Sequence, residues 1–363
     1  MELNEIVTHN KISPEKVIRG KYAWKQAKKD IPLICKSPLL LGRSKATEKI
    51  REKLYQDLRL IGLNPIKDEL NYDCCEQDLI RISNNAINKN CDGIIASGGG
   101  KVLDAGKLIS DRINLPCITI PLSAGTCAGW TALSNIYSKE GAFIKDQELK
   151  CCPKLLIFDH QFIRNAPRRT LASGIADALA KWYEASLSSS ACEDGIVQQA
   201  VQMARVLRDQ LFIDGLKAFN DSESDSWVRV AEGCALTAGL IGGLGGSQCR
   251  TAAAHPIHNG LTQIKSSKNS LHGEIVGFGI IMQLHLEEVY LDNQLAKQAK
   301  MQLISFLKEL GLPTTIKALG LDKVSNNEIR KACEFTISNH PEIISLPINI
   351  EEKSLYDLLI SYA

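Results

Sequence analysis

The sequence holds 12 cysteines but no Cys-x-x-Cys pair, which removes the usual spacing of a cysteine-ligated zinc site or a thioredoxin-like redox centre. Cys74-Cys75 and Cys151-Cys152 are adjacent, a spacing poorly suited to disulfides, so the cysteines read as reduced thiols filling small core positions. No apolar run approaches the roughly 20 residues that span a bilayer, and the opening segment MELNEIVTHNKISPEK lacks the charged-then-apolar layout of a signal peptide. A cytoplasmic protein without membrane contact is expected. Net charge is nearly absent: 43 basic and 41 acidic residues leave +2, with no electrostatic footprint for nucleic acid. Repeats and low-complexity tracts are missing too, which leaves a small molecule as the expected partner. What remains is ordinary globular composition, 44% hydrophobic and 23% charged, over 363 residues, enough for two domains.

Two periodicities divide the chain. From about residue 35 to 160, short apolar runs at 38–42, 93–96 and 117–120 alternate with helical stripes such as Ile50, Leu54, Leu58 and Ile61. Uninterrupted apolar runs suit strands buried on both faces, so a doubly wound parallel α/β layer is expected. After about Pro167 the strand signals fade, and 3.6-residue periodicity covers 167–187, 193–214, 226–242, 272–290 and 293–311. That half reads as helical.

Gly98-Gly99-Gly100-Lys101 sits where a strand meets a helix. Free N–H groups at a helix start attract phosphate, and glycines allow close backbone approach and dihedrals that other residues resist. The turn fits neither general fingerprint: Leu103 replaces the third glycine of G-x-G-x-x-G, and Ile95 the first glycine of a P-loop. Taken alone, it serves equally as a tight turn. In the second half, Asp177 stands amid apolar residues of a helix, and His255 and His272 follow in AAAHPIHNG and LHGE. One carboxylate and two imidazoles suit a divalent ion with open positions for a substrate oxygen. Singly, Asp177 also reads as a helix charge paired with Lys181, and each histidine as a hydrogen-bonded core residue.

Taken in order, Gly98-Gly99-Gly100-Lys101-Val102-Leu103-Asp104, Pro121-Leu122-Ser123-Ala124-Gly125-Thr126-Cys127, Gly174-Ile175-Ala176-Asp177-Ala178-Leu179 and the two histidine segments resemble the iron-containing, metal-dependent alcohol dehydrogenase family. Ala132-Leu133-Ser134-Asn135-Ile136-Tyr137 and Ala180-Lys181-Trp182-Tyr183-Glu184 look most like its glycerol dehydrogenase and hydroxycarboxylate dehydrogenase branch. The resemblance implies a Rossmann-like dinucleotide-binding α/β domain over 1–165, an all-helical metal- and substrate-binding domain over 166–363, and a homo-oligomer. It implies that Gly99, Gly100, Lys101 and Asp104 hold the cofactor, with Ser123, Thr126, Thr131, Leu133 and Tyr137 lining it. Asp177, His255 and His272 would bind Zn(II) or Fe(II), with zinc favoured, since Lys181 stands where the classical iron enzymes have a fourth, histidine ligand.

Two further departures bear on function. Cys127 replaces an aspartate that binds polyol hydroxyls in glycerol dehydrogenases, and losing that charge favours a substrate with a carboxylate. Arg43 and Lys45 follow the first clear strand where NAD-dependent members often present an aspartate, which favours NADP over NAD; they also suit a solvated helix start. His258, one turn after His255, is placed to contact substrate, relay a proton or support the site. The expected activity is metal-dependent, NAD(P)-linked interconversion of a small 2-oxo acid or ketone and its hydroxy compound. Glycerol oxidation is the alternative, followed by a dehydroquinate-synthase-like lyase that uses NAD transiently.

Overall fold

The computed structural model describes residues 9–362, so the first eight residues of the opening segment lie outside the described residues. Strands β1 (Lys16–Gly20), β2 (Pro38–Gly42), β3 (Ile66–Glu69), β4 (Gly93–Gly98), β5 (Cys117–Pro121) and β8 (Leu155–Asp159) form one parallel sheet in the order β1-β8-β5-β4-β2-β3. Between β5 and β8, β6 (Leu133–Tyr137) and β7 (Phe143–Glu148) make a separate antiparallel pair. The four central strands are buried at every residue. Their side chains still alternate: Leu39, Leu41 and Ile94 enter a core beneath α3 (Glu76–Asn88) and α4 (Gly100–Ile113), whereas Leu40 and Ile95 enter one beneath α1 (Ala23–Ala27) and α2 (Glu48–Leu60). Two covered faces explain why these strands read as continuous apolar runs.

From α5 (His160–Arg164) onward no strand occurs among the described residues; the expected division at 165/166 falls between α5 and α6 (Arg168–Ser188). The helices α7 (Gly195–Asn220), α8 (Asp225–Glu232), α9 (Ala238–Gly245), α10 (Ala254–Leu261), α11 (His272–Tyr290), α12 (Gln294–Glu309), α13 (Asn326–Ser338) and α14 (Glu352–Ser361) follow. Helix α11 is buried over most of its circumference and packs against α6, α10 and α12, the behaviour of a helix that is apolar all round. The stretch expected as one helix over 226–242 is α8 and α9 joined by a π-helical turn at Gly233–Thr237.

Two glycines bring α6 to the places where the site forms. A Cβ on Gly174 would stand 1.9 Å from the Ala124 carbonyl oxygen, and one on Gly273 would stand 1.8 Å from that of Ser173. Only hydrogen at those positions lets α6 touch both the loop after β5 and the first turn of α11. Glu274 locks the second contact, accepting from Arg169 Nε at 2.6 Å and from the Leu271 N–H at 2.7 Å.

Candidate active site

Strand β4 runs through Gly98, and α4 starts at Gly100 with Gly99 as a cap that has no side-chain hydrogen bond, so the first N–H groups of α4 are left to a ligand. None of the three glycines has a positive φ, which corrects the expectation of unusual dihedrals. Space is the reason instead. A Cβ on Gly98 would lie 2.8 Å from Val102 Cβ and one on Gly100 2.8 Å from Thr126 Cγ2, while Gly99 faces open space with Ser123 Oγ 4.0 Å away.

That open space is a cavity of about 330 Å³. Gly99, Gly100, Lys101, Asp104, Ser123, Thr126 and Tyr137 all line it, together with Arg43, Ser44 and Thr47; Lys45 does not reach it. Arg43 and Lys101 both bind Asp73, and although burial raises the Asp73 carboxyl, these two cations outweigh it and hold the group below its ordinary range. The Lys101 ammonium also lies 5.1 Å over the Tyr137 ring. Asp104 is buried 3.3 Å from Lys107, and burial raises its carboxyl despite that partner.

A second cavity, of about 550 Å³, adjoins the first: Asp104, Thr126 and His272 line both. Thr131 and Leu133 line this second cavity rather than the first, and Lys107 Nζ donates to the carbonyl oxygens of both. Cys127, Asp177, Lys181 and His255 also face it.

Asp177, His255 and His272 offer ligand atoms that all lie within 4.8 Å of one another. Asp177 Oδ1 is 3.4 Å from Nε2 of each histidine. Two ligands about 2.1 Å from a tetrahedral ion stand about 3.4 Å apart, so both edges from Asp177 fit a metal centre. Both rings are fixed from behind, as ligating histidines are. Glu184 takes His255 Nδ1 on one oxygen and the backbone N–H groups of Ala252 and His255, each at 2.9 Å, on the other. His272 Nδ1 is 2.9 Å from His258 Nε2. Burial raises Asp177, yet the two histidines outweigh it and lower its carboxyl well below the usual range. Burial lowers His255, but Glu184 and Asp177 outweigh it and push the imidazole up to about 9.

His258 lines neither cavity, which corrects the expectation that it contacts substrate: it is buried behind His272, where α10 packs on α11. Its Nδ1 lies 2.8 Å from Asn259 Oδ1, Asn259 Nδ2 lies 3.3 Å from His340 Nε2, and His340 Nδ1 lies 3.1 Å from Glu342. One set of tautomers satisfies the chain, each ring donating from Nδ1 and accepting at Nε2, and it leaves His272 Nε2 free to face Asp177. Glu184, Asn259 and His340 were not singled out from sequence. Glu184 carried a signal, a carboxylate two turns after Asp177 on a helix that is apolar around it; His340 had none, because it arrives from a distant turn.

A profile of the iron-containing alcohol dehydrogenases matches residues 14–160. An uncharacterized oxidoreductase of Synechocystis is 46% identical over 289 residues, covering 80% of this chain and 75% of its own length. The chain belongs to the iron-containing alcohol dehydrogenase family. Within that family, Escherichia coli hydroxycarboxylate dehydrogenase A is 33% identical over 268 residues, covering 72% of each chain. The crystal structure of Schizosaccharomyces pombe glycerol dehydrogenase matches at a TM-score of 0.86 and 26% identity, over 99% of this chain and 91% of that one. An iron-containing alcohol dehydrogenase is an oxidoreductase, and the family's nicotinamide dinucleotide and divalent ion fit what is present here, an uncapped helix start beside open glycine and a convergent set of one carboxylate and two imidazoles.

Proposed function

We propose that this chain interconverts a small 2-oxo acid, or a related ketone, and the corresponding 2-hydroxy compound, using NAD(P) and one divalent ion. The observation that carries the reading is the meeting of the two cavities at His272 and Asp104, with Asp177 and His255 on the wall of the second. When bound, the ion polarises the substrate oxygen and the nicotinamide exchanges hydride with the carbon. The chain supplies placement. Asp177 and the two Nε2 atoms face one point, Glu184 and His258 hold the rings, and the start of α4 holds cofactor phosphate. Cys127 adds no negative charge to the nearby wall, since burial raises its thiol, and a wall without that charge accepts a carboxylate where an aspartate would repel it.

Relatives named glycerol dehydrogenase support a second reading, glycerol and dihydroxyacetone. NADP is favoured because Arg43 lines the first cavity, and zinc because Lys181 gives no fourth ligand. No helix among the described residues is long and apolar enough to cross a membrane, and we infer a cytoplasmic homo-oligomer, with the domains dividing at 165/166. The test is oxidation of NADPH and NADH by the zinc- or iron-loaded protein with 2-oxo acids, dihydroxyacetone and simple aldehydes. Fastest turnover on a 2-oxo acid is expected; fastest turnover on dihydroxyacetone would replace this reading with the second.

A further inference from the structure

Lys181 lies one helical turn after Asp177 on α6, about 6 Å along the axis, so both side chains leave the same face. It is 6% exposed and lines the second cavity, yet its ammonium makes no hydrogen bond or ion pair with any described residue. The carboxylates that act on it, Asp177 and Glu184, are engaged elsewhere, the first by His255 and His272 and the second by His255 and two backbone N–H groups. Burial lowers the Lys181 ammonium, but Cys127, Asp177 and Glu184 outweigh it and hold it above its ordinary range, so the group is a cation that faces the cavity with no hydrogen-bonded anion of its own, a combination that favours an anionic ligand there.

A second cation faces the same space. Arg250 is the only Asp, Glu, Lys or Arg between Glu232 and Lys265, in a segment otherwise rich in glycine and alanine. Its stem rests on Gly242, where a Cβ would stand 3.4 Å from Arg250 Cγ, and its guanidinium has no hydrogen bond or ion pair among the described residues. Among the acids lining the cavity besides Asp177, Asp104 has Lys107 and Glu342 has His340, while Asp146 lies on the exposed part of β7 beside Lys145. Arg250 also acts on Glu148, whose ion pair is with Lys11, so the wall near the metal ligands carries two cations that no described residue engages by a hydrogen bond or ion pair.

We propose that Lys181 and Arg250 form the carboxylate subsite of the second cavity, holding the acid group of the substrate while its 2-oxygen faces Asp177, His255 and His272. This rests on the 2-oxo acid reading above and names the residues that would enforce it. Lys181 contributes a compact charge from a buried position, and Arg250, which is only partly buried, contributes a planar donor fork.

The test compares kcat/KM for pyruvate and for its neutral methyl ester in the wild type, Lys181→Met and Arg250→Met, all metal-loaded. The acid-to-ester ratio is expected to fall about 100-fold in Lys181→Met and about 5-fold in Arg250→Met, the range for removing one partner of a desolvated and of a more exposed ion pair. Calorimetric binding of oxamate, an unreactive mimic of a 2-oxo acid, to the dinucleotide-loaded protein should weaken in parallel. A wild type that prefers the acid, with both variants keeping that preference within about threefold, would overturn the subsite alone. A wild type with no preference for acid over ester would overturn the subsite together with the 2-oxo acid reading. Should Lys181→Met fail to fold, Arg250→Met carries the comparison.

Discussion

Glu184→Gln isolates the part of the metal site that no ligand atom supplies. Glutamine keeps the volume of Glu184 and one acceptor for the Ala252 and His255 N–H groups, but turns an amide –NH2 toward His255 Nδ1. An amide nitrogen only donates, so Nδ1 must become the acceptor and the ring proton moves to Nε2, the atom facing Asp177 at 3.4 Å. A protonated Nε2 has no lone pair for an ion. Flipping the amide restores Nδ1 as donor but sets –NH2 against two backbone N–H groups, and either arrangement leaves buried donors unmatched. Zinc affinity should fall by about 10- to 100-fold, the usual effect of losing a group behind a ligating histidine. The metal-free protein should lose about 1–3 kcal/mol of stability. Competition against a chromophoric chelator measures the first and urea unfolding the second. Zinc affinity within about threefold of wild type would refute the argument that Glu184 sets the His255 tautomer.

Gly273→Ala places a Cβ 1.8 Å from the Ser173 carbonyl oxygen, so α11 and α6 must part beside His272; a loss of about 3 kcal/mol or more in urea unfolding is expected, with weakened metal binding. In the metal-free protein His255 is raised to about 9 from an unfolded value of 6.5, so its contribution to stability is full below pH 6.5 and lost as pH rises through 9, and the melting temperature should decline across that window. The same proton competes with the ion, so zinc affinity should drop about tenfold per pH unit below 9, whereas a flat profile would place the proton elsewhere. Arg43→Ala should raise KM for NADPH about tenfold and leave NADH nearly unaffected, and equal effects on both would assign Arg43 to Asp73 alone.

The central strands were legible because burial on both faces leaves no polar interruption, and the long helices because their stripes are wide. Strand β1 was not: Lys16 and Arg19 break its pattern, as they can at a sheet edge where side chains reach water. The β6/β7 pair escaped notice for a related reason, since β7 is polar and mostly exposed. Asp177, His255 and His272 could be chosen as residue types, but their convergence depends on Gly174 and Gly273 drawing α6 between a loop and another helix, and such spacing leaves no periodic trace. The lone charge at Arg250 was visible in the sequence, yet its meaning waited on the cavity it faces.

The strand order has a consequence for how the chain is made. Lys16 of β1 pairs with Leu155 of β8, so the first strand stays without its neighbour until about 140 further residues have been synthesised. At ribosomal speeds that interval is on the order of ten seconds, long against the time in which the inner strands can assemble. An open edge exposed for so long invites pairing with another nascent chain. The charges that hid β1 in the sequence, Lys16 and Arg19, are the kind of residue that discourages such pairing until β8 arrives.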